Sequence, residues 1–167
     1  MVRNITGWVV AGIGAVAIFF GALLSSCIEP FPGTEVNIAC EKEVFIHVAK
    51  EYREWNSGCT DFVDAVKVRA IDDQKEMDEV CQIDRTYPGM HAAGCFTPPI
   101  PLIYVDINVD PYSILSHELT HTLGWCIGGV DRLDYKHETF EWWGVDGVMD
   151  RSHKEMQEVC GVSEYRQ

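Results

Sequence analysis

The sequence predicts an α+β fold with three main helices and a small sheet, on three observations. Apolar residues recur at helical spacing from Glu41 to Trp55. Two short runs, around Val66–Ile71 and Leu102–Ile107, are β-branched or almost wholly apolar. A third stretch, opening at Asp110, begins with helix-capping chemistry. A chain of 167 residues that is 47% hydrophobic and carries five Trp can bury a real core, which excludes disorder. A formal net charge of -13 excludes a nucleic-acid binder, because a phosphate backbone would repel such a surface.

The elements follow in order. Arg3 precedes a long apolar run from about Ile5 to Leu24, and Leu24-Ser25-Ser26-Cys27 ends it. A basic start, an apolar stretch and small residues describe an export signal. Small residues placed directly before a Cys resemble the bacterial lipobox, which implies that Cys27 is lipidated and becomes the mature N-terminus. A simple membrane anchor is the alternative, since a run of about 20 apolar residues is long enough to span a bilayer. Residues 1–27 are therefore expected to be a lipoprotein signal or an anchor, 28–38 a linker and 39–167 the folded domain. Both readings place that domain outside the cytoplasm, tethered to a membrane.

In the domain, Val44, Val48, Tyr52 and Trp55 line one helix, and Asn56-Ser57-Gly58 is expected to stop it. A strand is expected over 66–71. The acidic stretch Asp72–Glu79 reads as a solvated loop or short helix, with a calcium site there only weakly suggested. Ala93–Thr97 reads as an edge strand closed off by Pro98-Pro99. Leu102–Ile107 is a second, buried strand. Asp110 suits an N-cap and Pro111 the first helical position, and Gly124 is expected to end that helix. Ser152-x-x-Glu155 reads as a capping box opening a last helix, which Gly161 ends.

Seven cysteines are many for so short a chain. If Cys27 carries lipid, Cys40, Cys59, Cys81, Cys95, Cys126 and Cys160 remain. Six cysteines in an oxidising compartment imply three disulfides, with the pairing left open. None of the six lies in a close pair of the kind that binds zinc.

The chemistry centres on His117-Glu118-Leu119-Thr120-His121, an HExxH sequence inside the helix that starts at Asp110. Histidines at i and i+4 share a helix face, so both imidazoles can reach one Zn2+ ion. Glu118 then stands beside the metal, where it can take a proton from a zinc-bound water. Neither a nucleotide-binding glycine loop nor a serine nucleophile elbow is present.

Extended to HELTHTLG, the motif resembles HExxHxxGxxH, the signature of the metzincin clan of zinc peptidases. The resemblance covers most of Glu35–Gly161. The order of helix, strands, edge strand, buried strand and motif helix is also similar. It implies a small domain with a twisted mixed sheet, an active-site helix, a second long helix and a C-terminal helix. It implies Gly124 at a sharp turn, a third ligand beyond it, and a Met-containing turn under the metal, for which Gly147-Val148-Met149-Asp150 is the match. It further implies zinc-dependent hydrolysis of a peptide or protein substrate lying along the edge strand at Gly94–Thr97.

This sequence departs from the clan where the third ligand should stand, because that position is Ile127. His137 is the first choice to replace it. It precedes Met149, and Gly128-Gly129 lets the intervening stretch bend. Glu141 is a second choice, 20 residues after His121 as in thermolysin-like enzymes, and Asp131 a third. Tyr135 is expected to pack rather than to stabilise an oxyanion. Trp142-Trp143 reads as core or as the wall of a substrate pocket. His47, His91 and His153 are expected to be non-ligating, and Asp106, Asp110 and Asp146 to be turn or cap residues. Two rivals stand beside a peptidase. One is a degenerate zinc-binding protein, supported by Ile127 and opposed by Glu118. The other is a disulfide-stapled interaction lipoprotein in which HExxH is incidental and no zinc binds.

Overall fold

The structure, a computed structural model, describes residues 34–36, 38–83, 88–129, 133 and 136–160. The expected signal or anchor with Cys27, most of the linker, Asp131, Tyr135 and Gly161 lie outside the described residues. Among the described residues no helix is long and apolar enough to cross a membrane.

The fold is α+β. In chain order the elements are β1 (Thr34–Val36), α1 (Ala39–Ala49), α2 (Ser57–Asp64), β2 (Lys67–Ile71), α3 (Gln74–Val80), β3 (Gly94–Phe96), β4 (Leu102–Asp106), α4 (Pro111–Gly128), the one-turn α5 (Phe140–Trp143) and α6 (Val148–Val159). The four strands form one mixed sheet in the order β1-β2-β4-β3. β2 and β4 run parallel, while β1 and β3 flank them antiparallel. β1 falls in the stretch expected to be linker, where Thr34, Glu35 and Val36 pair with Ala70, Arg69 and Val68. β1 and β3 are the two edges of this sheet, and β3 is the edge strand that the sequence suggested at Ala93–Thr97.

Two apolar clusters explain why β4 reads as an unbroken apolar run. Ile103 and Val105 face the main core, built with Phe45, Leu115, Leu119, Leu123 and Met156 from the helices. Leu102 and Tyr104 face a second cluster with Met77 of α3. Covered on both faces, the strand is buried at every position and has no need to alternate polar with apolar residues.

All six remaining cysteines pair. Cys40–Cys160 joins the start of α1 to the end of α6, Cys59–Cys126 joins α2 to α4, and Cys81–Cys95 joins the end of α3 to the edge strand. Three disulfides place the domain in an oxidising compartment.

Three boundaries differ from the sequence reading. The first helix ends at Ala49, and Asn56 starts a new helix rather than stopping the old one, its side chain accepting from the Cys59 N–H at 3.2 Å. Asn serves N-caps as readily as helix ends, so the residue alone does not distinguish them. Gly124 does not end α4, which runs on to Gly128 and closes at Gly129, with φ at +66°. A helical Gly costs only about 1 kcal/mol against Ala. Burial of Leu115, Leu119 and Leu123 and the Cys59–Cys126 bridge hold the last turn against that cost. The last helix begins at Val148, so Ser152 is interior, and its hydroxyl donates back to the Val148 carbonyl at 2.7 Å.

Candidate metal centre

β4 delivers the chain to α4 through an Asx turn. There Asp106 Oδ1 accepts from the backbone N–H and side-chain amide of Asn108 at 2.8 and 2.9 Å. Asp110 then caps α4, its side chain accepting from the Tyr112 N–H at 3.2 Å. Leu115, Leu119 and Leu123, at i, i+4 and i+8, commit one stripe of the helix to the core. That commitment fixes the rotation of α4 and brings His117 and His121 together on another stripe, their ring centroids 5.0 Å apart. Thr120 and Thr122 are buried and satisfy their hydroxyls on the carbonyls of Ser116 and Glu118, at 2.7 and 3.0 Å.

The chain then returns a third histidine. His137 Nε2 lies 3.3 Å from His121 Nε2. One ligand nitrogen from each of His117, His121 and His137 falls within 4.8 Å of the other two. Nitrogens bound tetrahedrally to zinc at about 2.0–2.1 Å stand about 3.3–3.4 Å from each other. The His121–His137 pair therefore already has the separation of a shared ion. His137 adopts a left-handed backbone conformation, φ +56°, uncommon for a non-glycine residue and a strain that gathers at functional sites.

Proton placement suits a cation too. A carbonyl can only accept, so the 2.6 Å contact between His121 Nδ1 and the Leu133 carbonyl places the proton on Nδ1. The lone pair of Nε2 then faces His137. Histidine ligands use this kind of outer partner to fix their tautomer. Leu133 is itself buried in the core, which anchors that carbonyl. Burial, followed by the nearby rings of His121 and His137, pushes the His117 pKa down to about 4, so this ring stays neutral at neutral pH. Three imidazole nitrogens at this spacing are a donor set that could hold a metal ion.

Glu118 points to the other neighbour of the helix, the edge strand. Its carboxyl is 6% exposed and accepts a hydrogen bond from the Phe96 N–H of β3. Burial pushes its pKa up to about 8 despite that hydrogen bond. Gly94 makes the fit possible. A Cβ there would come within 2.5 Å of Ile114 Cγ2 and 3.0 Å of Glu118 Oε1.

His117, His121 and His137 are thus gathered at one place, and the Glu118 side chain lies against the edge strand β3. Glu141 is exposed on α5, and His137 is the third member of the histidine group. Met149 lies half-buried in the first turn of α6. Asp78 holds His91 at 2.7 Å, Asp110 holds His153 at 3.2 Å, and His47 is exposed on α1. One contributor escaped the sequence reading, the Leu133 carbonyl, a backbone group that leaves no sequence signal. The sequence reads Trp143 with Trp142 as core or pocket wall, and not as a neighbour of the histidines. The adjacent tryptophans part company, Trp142 being fully buried edge-on to Tyr52 with centroids 5.8 Å apart, and Trp143 packing against all three histidines. A cleft of about 320 Å³ where the turn after α1 meets α5 and α6, lined by Tyr52, Phe140, Glu141, Val145 and Arg151, does not include the histidines.

Compared with protein-family models, curated proteins and solved structures, the chain finds no match.

Proposed function

We propose that this domain is a zinc-dependent endopeptidase of metzincin-like design, held outside the cytoplasm by lipid on Cys27 or by an N-terminal helix. The observation that supports it most is the convergence of His137 with the HExxH pair, 3.3 Å from His121. His117, His121 and His137 would hold the ion. When bound, zinc supplies Lewis acidity, polarising a carbonyl and lowering the pKa of water toward ~7.

The chain's own groups do the rest. The bond from His121 Nδ1 to Leu133 holds that ring in its ligating tautomer. β3 is an edge strand, so an extended peptide can add to it main chain to main chain beside Glu118. Glu118 is buried between that strand and α4 with its pKa pushed up to about 8. It would have to lose its own proton, as a nearby cation favours, before taking one from the attacking water and delivering it to the leaving amine. Three disulfides suit such a domain to an extracellular setting.

The test is metal content and cleavage of a mixed peptide library by the purified, disulfide-bonded protein, parent and Glu118→Ala. Stoichiometric zinc in both, with cleavage in the parent alone, is the expected result. A parent without zinc would sink the reading. A metal-binding interaction domain without catalysis is the second reading. It is favoured by the passage of α4 through Gly124 and Ile127, where the clan would turn and place its third ligand. That reading predicts zinc in the parent and no cleavage.

A further inference from the structure

The centroids of His117, His121 and His137 lie 5.0, 4.7 and 5.2 Å apart. The indole of Trp143 stands 5.0 Å from His117, 4.8 Å from His121 and 4.2 Å from His137. All six separations are close to equal, so the four rings occupy the corners of a nearly regular tetrahedron. No residue other than Trp143 is described in ring contact with all three histidines.

Trp143 is also placed rigidly. It is half-buried and packs against the main core, while His137 is exposed to solvent. The indole thus bridges the core and the exposed His137, while His121 is itself buried. Trp142, fully buried one residue earlier, pins the short helix α5, and the N–H groups of Trp142 and Trp143 both donate to the Thr139 carbonyl at 3.0 Å. Immediately after it the chain turns tightly at Gly144, where a Cβ would meet Phe140 ring carbons and its carbonyl at 2.6 Å. The segment that carries Trp143 has little room to shift.

From this geometry we infer that Trp143 is the positioning residue of the histidine cluster, the rigid plate against which all three imidazoles settle. The inference rests on the metal site proposed above. Rings held at one distance from a common plate lose little freedom when they close on an ion. The indole also sets an apolar surface beside the cluster, and the apolar shell of a metal site governs its affinity and solvent access.

The test measures Zn2+ affinity by chelator competition and the visible spectrum of the Co2+-loaded protein, which reports ligand geometry. The full chain is used, as parent, Trp143→Phe, Trp143→Leu and Trp143→Ala. Melting of each metal-free variant checks that it folds. Losing the plate should weaken zinc by ~10–100-fold in Trp143→Ala and Trp143→Leu, the range seen when outer partners are removed. Both should shift the Co2+ bands, and Trp143→Phe should restore most of the affinity. Trp142→Phe, a core change one residue away, should lower the melting temperature and leave the Co2+ bands in place. Folded Trp143→Ala with parental zinc affinity and an unchanged Co2+ spectrum would overturn the assignment and leave the metal site standing. A parent that binds no Zn2+ would overturn the site and the assignment together.

Discussion

His117 and His121 stand on an 18-residue helix that is capped at Asp110, buried along one side and bridged to α2 by Cys59–Cys126. His137 comes from the connection between α4 and α5. Its backbone is left-handed, and the local tie described there is the Leu133 carbonyl on His121. One half of the cluster is therefore set by the core and would exist without a metal. The other half is set by a few local anchors, Leu133 and the α5 tryptophans, and has more to gain from an ion that joins it to the helix. Metal binding in this protein should act chiefly on the returning segment.

Removing ligands tests this contrast most severely. His117→Ala or His121→Ala should lower zinc affinity by more than the ~100-fold that bounds the loss of an outer partner. His137→Ala should cost less, because the fixed pair remains, and isothermal titration would rank the three. Parental zinc binding in His137→Ala would remove the returning segment from the site. The scaffold around that helix can be attacked instead, through the bridge between α1 and α6. Replacing Cys40 and Cys160 with Ala opens a link that spans 120 residues, and urea unfolding should report a loss of about 2–5 kcal/mol. Zinc affinity of the folded variant should change little, since neither cysteine is near the histidines in sequence or element.

Gly94→Ala bears on the boundary between helix and edge strand. Its new methyl must displace Ile114 or the Glu118 carboxyl, an overpacking cost of about 1–3 kcal/mol in thermal unfolding. Cleavage should fall with zinc content unchanged. Gly129→Ala forces a side chain into φ +66° where the returning segment begins, and should cost about 1 kcal/mol of stability. The smallest effect belongs to Asp78. Its hydrogen bonds with His91, the Ala92 N–H and Gln74 hold its pKa below the usual 3.8. A depressed folded pKa gives stability that is present above about pH 4 and lost as pH falls through the lower folded value. Asp78→Asn should therefore unfold more readily than the parent at neutral pH, with the two curves meeting in strong acid.

What the sequence made legible follows the same division. The helix bearing the motif, its cap at Asp110, both central strands and the edge strand are local patterns, and local patterns survive in the structure. His117 and His121 were legible because one helical turn sets their relation. His137 could be singled out only as one of three candidates, because its place depends on a path through residues that carry no periodic signal. Gly124, Asn56 and Ser152 misled for one reason. Each is a residue type that suits a helix end, and tertiary burial or a hydroxyl-to-carbonyl bond let two of them sit inside a helix while Asn56 opened one. Trp143 was visible as half of an aromatic pair, yet nothing in the sequence shows which member turns inward.

The Cys40–Cys160 bridge has a further consequence. Its two Cα atoms are 5.9 Å apart although 120 residues separate them, so the described fold is a nearly closed covalent ring. Cys40 and Cys160 thus share one corner of the described fold. A cut anywhere between the two cysteines opens the ring without dividing it, and both fragments travel as one molecule until a reductant separates them. A nick within the ring would leave the mass unchanged on a non-reducing gel and would not free the helix that carries His117 and His121.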